Sequence, residues 1–407
     1  MTASIRGSLE KPDVSEPAGR ISVTRVAVLC DYREEQWPSM DLVGDMLCSH
    51  LTDLPSNSIL ATQVVPAARQ RFGSIPFLPE KLRRNADRLL NRFLDYPAWV
   101  ATQANNYDLF HVVDHSYSQL VRALPRRRTV VTCHDLDTFR CLLDPQREPR
   151  PRWFRVMAQR TLDGFLEAAH VIAVSSATRD EILRQGLLPA ERVSVVRNGV
   201  DPACSMEPDP SADAIAATLM SEKSPEIPWL LSVGSTIARK RLDVLLRVFA
   251  VIRRNVPEAR LVRVGGFTPS QRRLATELNL EPAISHLPFL DRNILAAVYR
   301  RSTLLLVTAE AEGFGLPVIE AMACGCPVVA SDIPVLREVG GNAASYCPVA
   351  DIDAWSQTAL SMLAEKTLQP DLWNSRRLRG RAQAEGFSWS ENARKTAMLY
   401  RKVLDTK

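Results

Sequence analysis

Apolar runs of four to seven residues alternate along this chain with longer amphipathic segments, the pattern of βα units in a parallel sheet. The first half carries five such runs, at residues 24–30, 109–113, 129–133, 171–174 and 193–196. The second half carries four, at 229–233, 260–264, 303–307 and 327–330. Helical spacing fills most of the intervals. Between Asn198 and Pro228 the character changes: Asn198-Gly199 is a turn signal, and Pro202, Pro208, Pro210 and Ser224-Pro225 follow closely. The interdomain connection is expected there, with residues 1–205 forming a first lobe and 206–385 a second. The fold class expected is α/β, two doubly wound lobes facing across a cleft, with ligands outside the carboxyl ends of the strands.

Length agrees, since 407 residues suggest two domains. With 46% hydrophobic and 24% charged residues the chain can bury sizeable cores. No stretch approaches eighteen apolar residues, and positions 1–22 are a polar tail without an apolar block, so a cytoplasmic rather than a membrane-spanning or secreted protein is expected. The eight cysteines lack paired C-x-x-C spacing and read as reduced thiols. The net charge of +5 conceals an uneven distribution. Residues 69–92 hold seven basic and two acidic side chains and 122–160 hold ten and four, so the remainder of the chain is net acidic. Phe72, Phe77, Trp153 and Phe154 interleave with these basic stretches, which makes peripheral contact with anionic membrane an expectation. Nucleic acid is not an expected partner.

The most informative segment is E-G-F-G-L-P-V-I-E-A-M-A-C-G-C-P-V-V, residues 312–329. It reads as glycine loop, short helix and strand. Gly313 and Gly315 let the backbone approach a ligand, Pro317 suits a helix start, and Gly325 suits a C-terminal cap. The free N–H groups from Leu316 onward form an anion site that a phosphate fits. Glu312 and Glu320 flank it, and each carboxylate can bridge a vicinal diol. A phosphate between two diol-binding carboxylates matches a nucleotide-sugar.

This segment resembles the signature of the family 4 retaining glycosyltransferases, which have two Rossmann-like lobes, the GT-B fold. The resemblance covers residues 26–400 and implies roles residue by residue. Glu312 would hold the donor sugar's hydroxyls, Glu320 the ribose, and the backbone of Gly313, Phe314, Gly315 and Leu316 the sugar and phosphate. A second anchor, L-S-V-G-S-T-I-A-R-K-R-L-D-V-L-L at 231–246, resembles the family's strand, glycine and Arg-Lys pair. Gly234 ends a strand, and Arg239 and Lys240 are expected to begin an amphipathic helix with Leu242, Leu245, Leu246 and Phe249 inward. Cations there oppose the helix dipole, which a diphosphate ligand explains; by resemblance the two are the diphosphate clamp. Arg241 is expected to face solvent. Residues 285–291 resemble the loop that holds the base through its backbone. His134 resembles a strand-end histidine near the reacting sugar; a purely local reading pairs it with Asp135 or Asp137. Residues 386–407 resemble a closing helix that returns to the first lobe.

Some features set limits. Alternation along a strand would put His111 and His115 on one face and Asp114 on the other, so no metal site is expected among them. Asp135-Leu136-Asp137 and Asp351-Ile352-Asp353 both spell D-x-D, and neither is expected at the diphosphate. Ser175 or Ser176 reads as a helix N-cap and Asn198-Gly199 as a turn. Residues 31–41 contain no glycine where the family has a glycine pair after the first strand. The same absence argues against a nicotinamide enzyme. The function expected is metal-independent transfer, with retention, of a hexose-type sugar from a nucleotide diphosphate sugar to a glycan, lipid-linked or small-molecule acceptor. No cofactor is expected beyond that donor substrate. The alternatives are a non-catalytic sugar-nucleotide-binding homologue, or an epimerase or phosphorylase on the same fold.

Overall fold

The computed structural model describes residues 23–54, 59–73, 79–220 and 227–406. The tail at 1–22, Phe77 and the Ser224-Pro225 pair lie outside the described residues. Among the described residues twelve strands form two six-stranded sheets, all of whose pairings are parallel. The first sheet holds β1 (Thr24–Leu29), β2 (Ile59–Val64), β3 (Leu109–Val112), β4 (Thr129–Cys133), β5 (His170–Ala173) and β6 (Val193–Val195), in the order β2-β1-β3-β4-β5-β6. The second holds β7 (Trp229–Val233), β8 (Arg260–Val264), β9 (Ile284–Leu287), β10 (Leu304–Val307), β11 (Val328–Ser331) and β12 (Ser345–Cys347), in the order β12-β11-β10-β7-β8-β9. This is the two-lobed α/β architecture expected from the apolar runs.

Three strands had no counterpart in those runs: β2, β9 and β12. Each lies at a sheet edge, where one side is solvated and the continuous apolar signal of a buried parallel strand is lost. In β2, buried Ile59 and Val64 bracket exposed or half-buried residues. The loop expected over 285–291 therefore begins as strand β9 and becomes a loop only after Leu287. The proline-rich connection also differs from expectation. It contains a helix, Pro210–Met220, whose Ala212, Ala216 and Met220 are buried in the core of the second lobe.

Both faces of each sheet are covered. The apolar positions of β1, β3 and β4 divide between a core that includes Phe110, Phe139 and Phe165 and one that includes Leu47, Leu51 and Tyr400. Tyr400 belongs to the last helix, Trp389–Asp405, which packs on the first sheet beside the helix Pro38–Thr52. His111 is consumed by this packing: its Nδ1 lies 2.6 Å from the Tyr400 hydroxyl and its Nε2 2.7 Å from Thr132 Oγ1. Burial pushes its pKa down to about 3. Strand β3 stops at Val112, so strand alternation does not relate His111 to His115. His115 lies instead in a 3₁₀ segment, with its Nδ1 3.3 Å from Asp114.

Strand order locates the two crevices. In a doubly wound sheet, ligands bind where the direction of strand addition reverses. In the first sheet the reversal falls between β1 and β3, and in the second between β7 and β10. The loops after these four strands carry the chemistry described next.

Candidate active site

The loop after β7 is shaped by a residue that sequence reasoning missed. Arg263, in β8, is 1% exposed, and its guanidinium donates to the carbonyls of Ser232, Gly234, Ser235, Val264 and Gly266 at 2.6–3.2 Å. Burial without an acidic partner lowers its pKa to about 10. The signal was present in the sequence: an arginine inside a buried parallel strand must find acceptors, and here they are the carbonyls that set the loop. Gly234 has φ 133°, which a side chain would strain.

Arg239 and Lys240 do not begin the long helix. They lie on a separate 3₁₀ turn, Ala238–Lys240, and Arg241, at φ 48°, precedes the helix Leu242–Asn255. The loop after β10 fastens that turn: Thr308 Oγ1 donates to the carbonyls of Lys240 and Arg241, and the Glu310 N–H donates to the Arg239 carbonyl. Arg241 is tied to Asp243 and Glu310, each at 3.1 Å, rather than simply solvated. Leu242, Leu245, Leu246 and Phe249 are buried as the apolar stripe required.

Lys240 Nζ pairs with Glu312 Oε1 across the reversal between β7 and β10. Arg239 reaches the other lobe. Its Nη2 lies 2.8 Å from Asp135 Oδ2, its Nε 2.6 Å from Asp137 Oδ2, and its Nη1 donates to the Ala311 carbonyl. The expectation that Asp135-Leu136-Asp137 lies apart from the Arg239 site is therefore corrected: both aspartates grip Arg239. Sequence gave no local sign of this, because the partners are 104 residues apart.

The glycine loop serves the lobe contact as well as the cleft. A Cβ on Gly313 would lie 1.9 Å from the His134 carbonyl oxygen, and the Gly313 carbonyl accepts from Ser175 Oγ at 2.8 Å. Ser175 is also the N-cap of the helix Ser176–Arg184. Gly315, at φ 99°, caps the helix Leu316–Ala323, with Pro317 in its first turn. Gly325, at φ 71°, follows its end. The Phe314 ring turns away into the second-lobe core, 5.8 Å edge-on from Phe387, leaving only its backbone at the loop. His134 Nε2 lies 2.8 Å from the Val113 carbonyl, so neither Asp135 nor Asp137 is its ring's partner. Burial lowers its pKa.

Glu320 lies one helical turn inside, 8% exposed, accepting from the Tyr299 hydroxyl at 2.9 Å. Burial raises its pKa to about 7 against the lowering effect of Tyr299. The cleft thus offers two cations, a helix N-terminus and two carboxyl groups, which suits a ligand carrying both phosphate and vicinal hydroxyls. Among the described residues no group of three His, Cys, Asp or Glu side chains is placed to hold a metal ion.

Comparison with known proteins agrees with this geometry. Residues 220–379 match the family model "Glycosyl transferases group 1", and residues 47–203 match "Glycosyltransferase Family 4". The chain is 29% identical over 288 residues to O-antigen chain mannosyltransferase B of Escherichia coli, covering 68% of this chain and 72% of that one. It is 28% identical over 338 residues to the D-inositol 3-phosphate glycosyltransferase of Frankia alni, covering 76% and 81%. Sucrose-phosphate synthase from Thermosynechococcus elongatus shares the fold, with a TM-score of 0.72 at 21% identity over 94% of this chain and all of that one. The protein belongs to the family 4 glycosyltransferases and has their two-lobed GT-B fold.

Glu320 generates a pH prediction. The folded state holds this proton more tightly than the unfolded chain does, so the contribution is most favourable below pH 4.5 and is lost as pH rises toward 7. Relative to Glu320→Gln, the wild type should lose about 3 kcal/mol of stability between acidic pH and about pH 8. Denaturant unfolding of both proteins across that range measures it, and a pH-independent difference contradicts it.

Proposed function

We propose that this glycosyltransferase moves a hexose from a nucleotide diphosphate sugar to a glycan, lipid-linked or small-molecule acceptor with retention of anomeric configuration. The observation that carries the reading is the convergence of Lys240, Glu312 and the N-terminus of the Leu316 helix at the strand reversal of the second sheet, with Arg239 alongside. Glu312 takes the donor sugar's hydroxyls, Glu320 takes the ribose, and Arg239, Lys240 and the loop N–H groups from Gly313 to Leu316 take the diphosphate. His134 shapes the edge against which the sugar lies, its carbonyl already touching Gly313.

In this mechanism the bond between the anomeric carbon and the β-phosphate oxygen breaks while the acceptor oxygen bonds to the same face of that carbon. The acceptor's proton passes to the departing phosphate, so no protein base is assigned. Negative charge grows on the diphosphate, and fixed cations with helix N–H groups stabilise it without a metal ion being required. The E. coli relative, an O-antigen chain mannosyltransferase, supports a place in polysaccharide synthesis.

The reading includes a cytoplasmic enzyme working at the inner membrane face. Among the described residues no helix is long and apolar enough to cross a membrane. The helix Arg152–Glu167 presents Trp153 and Val156, 58% and 61% exposed, beside exposed Arg152 and Arg155. An amphipathic surface of this kind favours anionic lipid.

Two experiments test these statements. Glu312→Ala should lose transfer while keeping the wild-type circular dichroism spectrum, and Lys240→Ala should lower the rate by about 10² or more; wild-type turnover in either removes that residue from the mechanism. Co-sedimentation with liposomes should rise with the fraction of anionic lipid and fall in a Trp153→Ala, Arg155→Ala double variant. Binding indifferent to lipid charge sinks the membrane contact.

A further inference from the structure

Arg263 fixes the loop after β7 with a fully committed guanidinium. That group has five N–H donors, and five carbonyls take them: Gly266 at Nε, Ser232 and Val264 at Nη1, Gly234 and Ser235 at Nη2. None is left over for a ligand. Arg263 can therefore act on one only through the backbone it holds and through its charge.

Two of the five carbonyls belong to consecutive peptides, Gly234-Ser235 and Ser235-Thr236. Both peptides are trans, so the N–H of each points away from its carbonyl. Drawing the Gly234 and Ser235 oxygens to 2.6 and 3.0 Å from the guanidinium turns the Ser235 and Thr236 N–H groups the opposite way. Among the described residues neither N–H donates to an acceptor. Successive free N–H groups make an anion-binding concavity. Ser235 lines the same cavity as Lys240, Arg263, Glu312 and Pro317, and Pro317 lies in the first turn of the Leu316 helix.

Charge points the same way. Lys240 is paired with Glu312, and Arg239 with Asp135 and Asp137. Arg263 has only neutral partners among the described residues, and burial lowers its pKa to about 10, which leaves it protonated at neutral pH. A buried cation is ordinarily paired with an acid. Here peptide dipoles take the acid's place, with the positive ends of two consecutive peptides turned away from the guanidinium. Neutral donors would satisfy the same carbonyls; a full positive charge among them is of use to an anion.

We infer that Arg263 is a positioning residue for the donor diphosphate: it aims the Ser235 and Thr236 N–H groups at a phosphate oxygen and sets beneath them a positive charge that no carboxylate cancels. The inference rests on the glycosyl-transfer reading. It adds a second backbone wall to the diphosphate site, on the β7 side of the strand reversal, with the loop from Gly313 to Leu316 on the β10 side.

The test uses the full chain. GDP and UDP are titrated into the wild type to find the diphosphate it binds, and that diphosphate and its parent nucleoside are then compared in the wild type, Arg263→Gln and Arg263→Lys by direct and competition calorimetry. Arg263→Gln, without the charge, should weaken diphosphate binding about tenfold or more and nucleoside binding less than about twofold. Arg263→Lys keeps the charge with three donors and should recover part of the loss. Both variants should melt at a lower temperature, since carbonyls lose donors. A merely structural arginine predicts something else: equal weakening of diphosphate and nucleoside, or an unchanged diphosphate affinity in folded Arg263→Gln, overturns the inference. A crystal structure of the wild type with the diphosphate decides the matter without any variant. A phosphate oxygen should lie within about 3.2 Å of the Ser235 or Thr236 nitrogen, and a diphosphate bound with neither contact overturns the inference. Failure of the wild type to bind any of a panel of nucleoside diphosphates would instead count against the transferase reading itself.

Discussion

Arg239 is where the two lobes and the proposed chemistry meet. It leaves a turn of the second lobe, yet its guanidinium is held by Asp135 and Asp137 of the first. The surrounding contacts depend on the same approach of the two carboxyl edges: Gly313 lies against the His134 carbonyl, and Ser175 donates across the gap to Gly313. Away from the edge, Glu338 accepts from the Ser176 N–H at 2.8 Å and pairs with Arg197. A half-buried arginine still needs acceptors, and these aspartates supply charge as well as geometry. In the proposed function a diphosphate that uses Arg239 must compete with them, so lobe packing and ligand binding would draw on one group.

The two sheets place their polar groups by the same rule. Each reverses strand order once, and at each reversal the flanking loops bring titratable side chains together: Lys240 with Glu312 in the second lobe, Asp31 with Asp114 in the first. The closing helix Trp389–Asp405 helps to hold these edges in register. Its Tyr400 is locked onto His111, and a Cβ on Gly199 would strike the Trp389 backbone. The turn at Asn198-Gly199 is thus fixed by packing from the far end of the chain.

What could be read from sequence was what short-range rules govern. Gly315, Pro317 and Gly325 bracket a helix by backbone geometry alone, and the buried central strands announce themselves as apolar runs. The edge strands β2, β9 and β12 did not, because half of each is solvated. Nor did the partners of Arg239: an Asp-x-Asp triplet is common, and only the tertiary approach of the lobes gives this one a cation. Arg263 was legible in principle, as a charge within a buried strand, but its five carbonyl partners lie on two strand ends and the loops after them, which local patterning does not bring together. Phe314 turns its ring into the core, so its place in the signature concerns its backbone.

The direct measurement is a double-mutant cycle on nucleoside-diphosphate affinity, by calorimetric titration of the wild type, Asp135→Asn, Arg239→Ala and the double variant. If the diphosphate takes Arg239 from the first-lobe carboxylates, Asp135→Asn tightens binding when Arg239 is present and has no such effect when it is absent. Strict additivity of the two substitutions, or weaker binding in Asp135→Asn, would contradict the account.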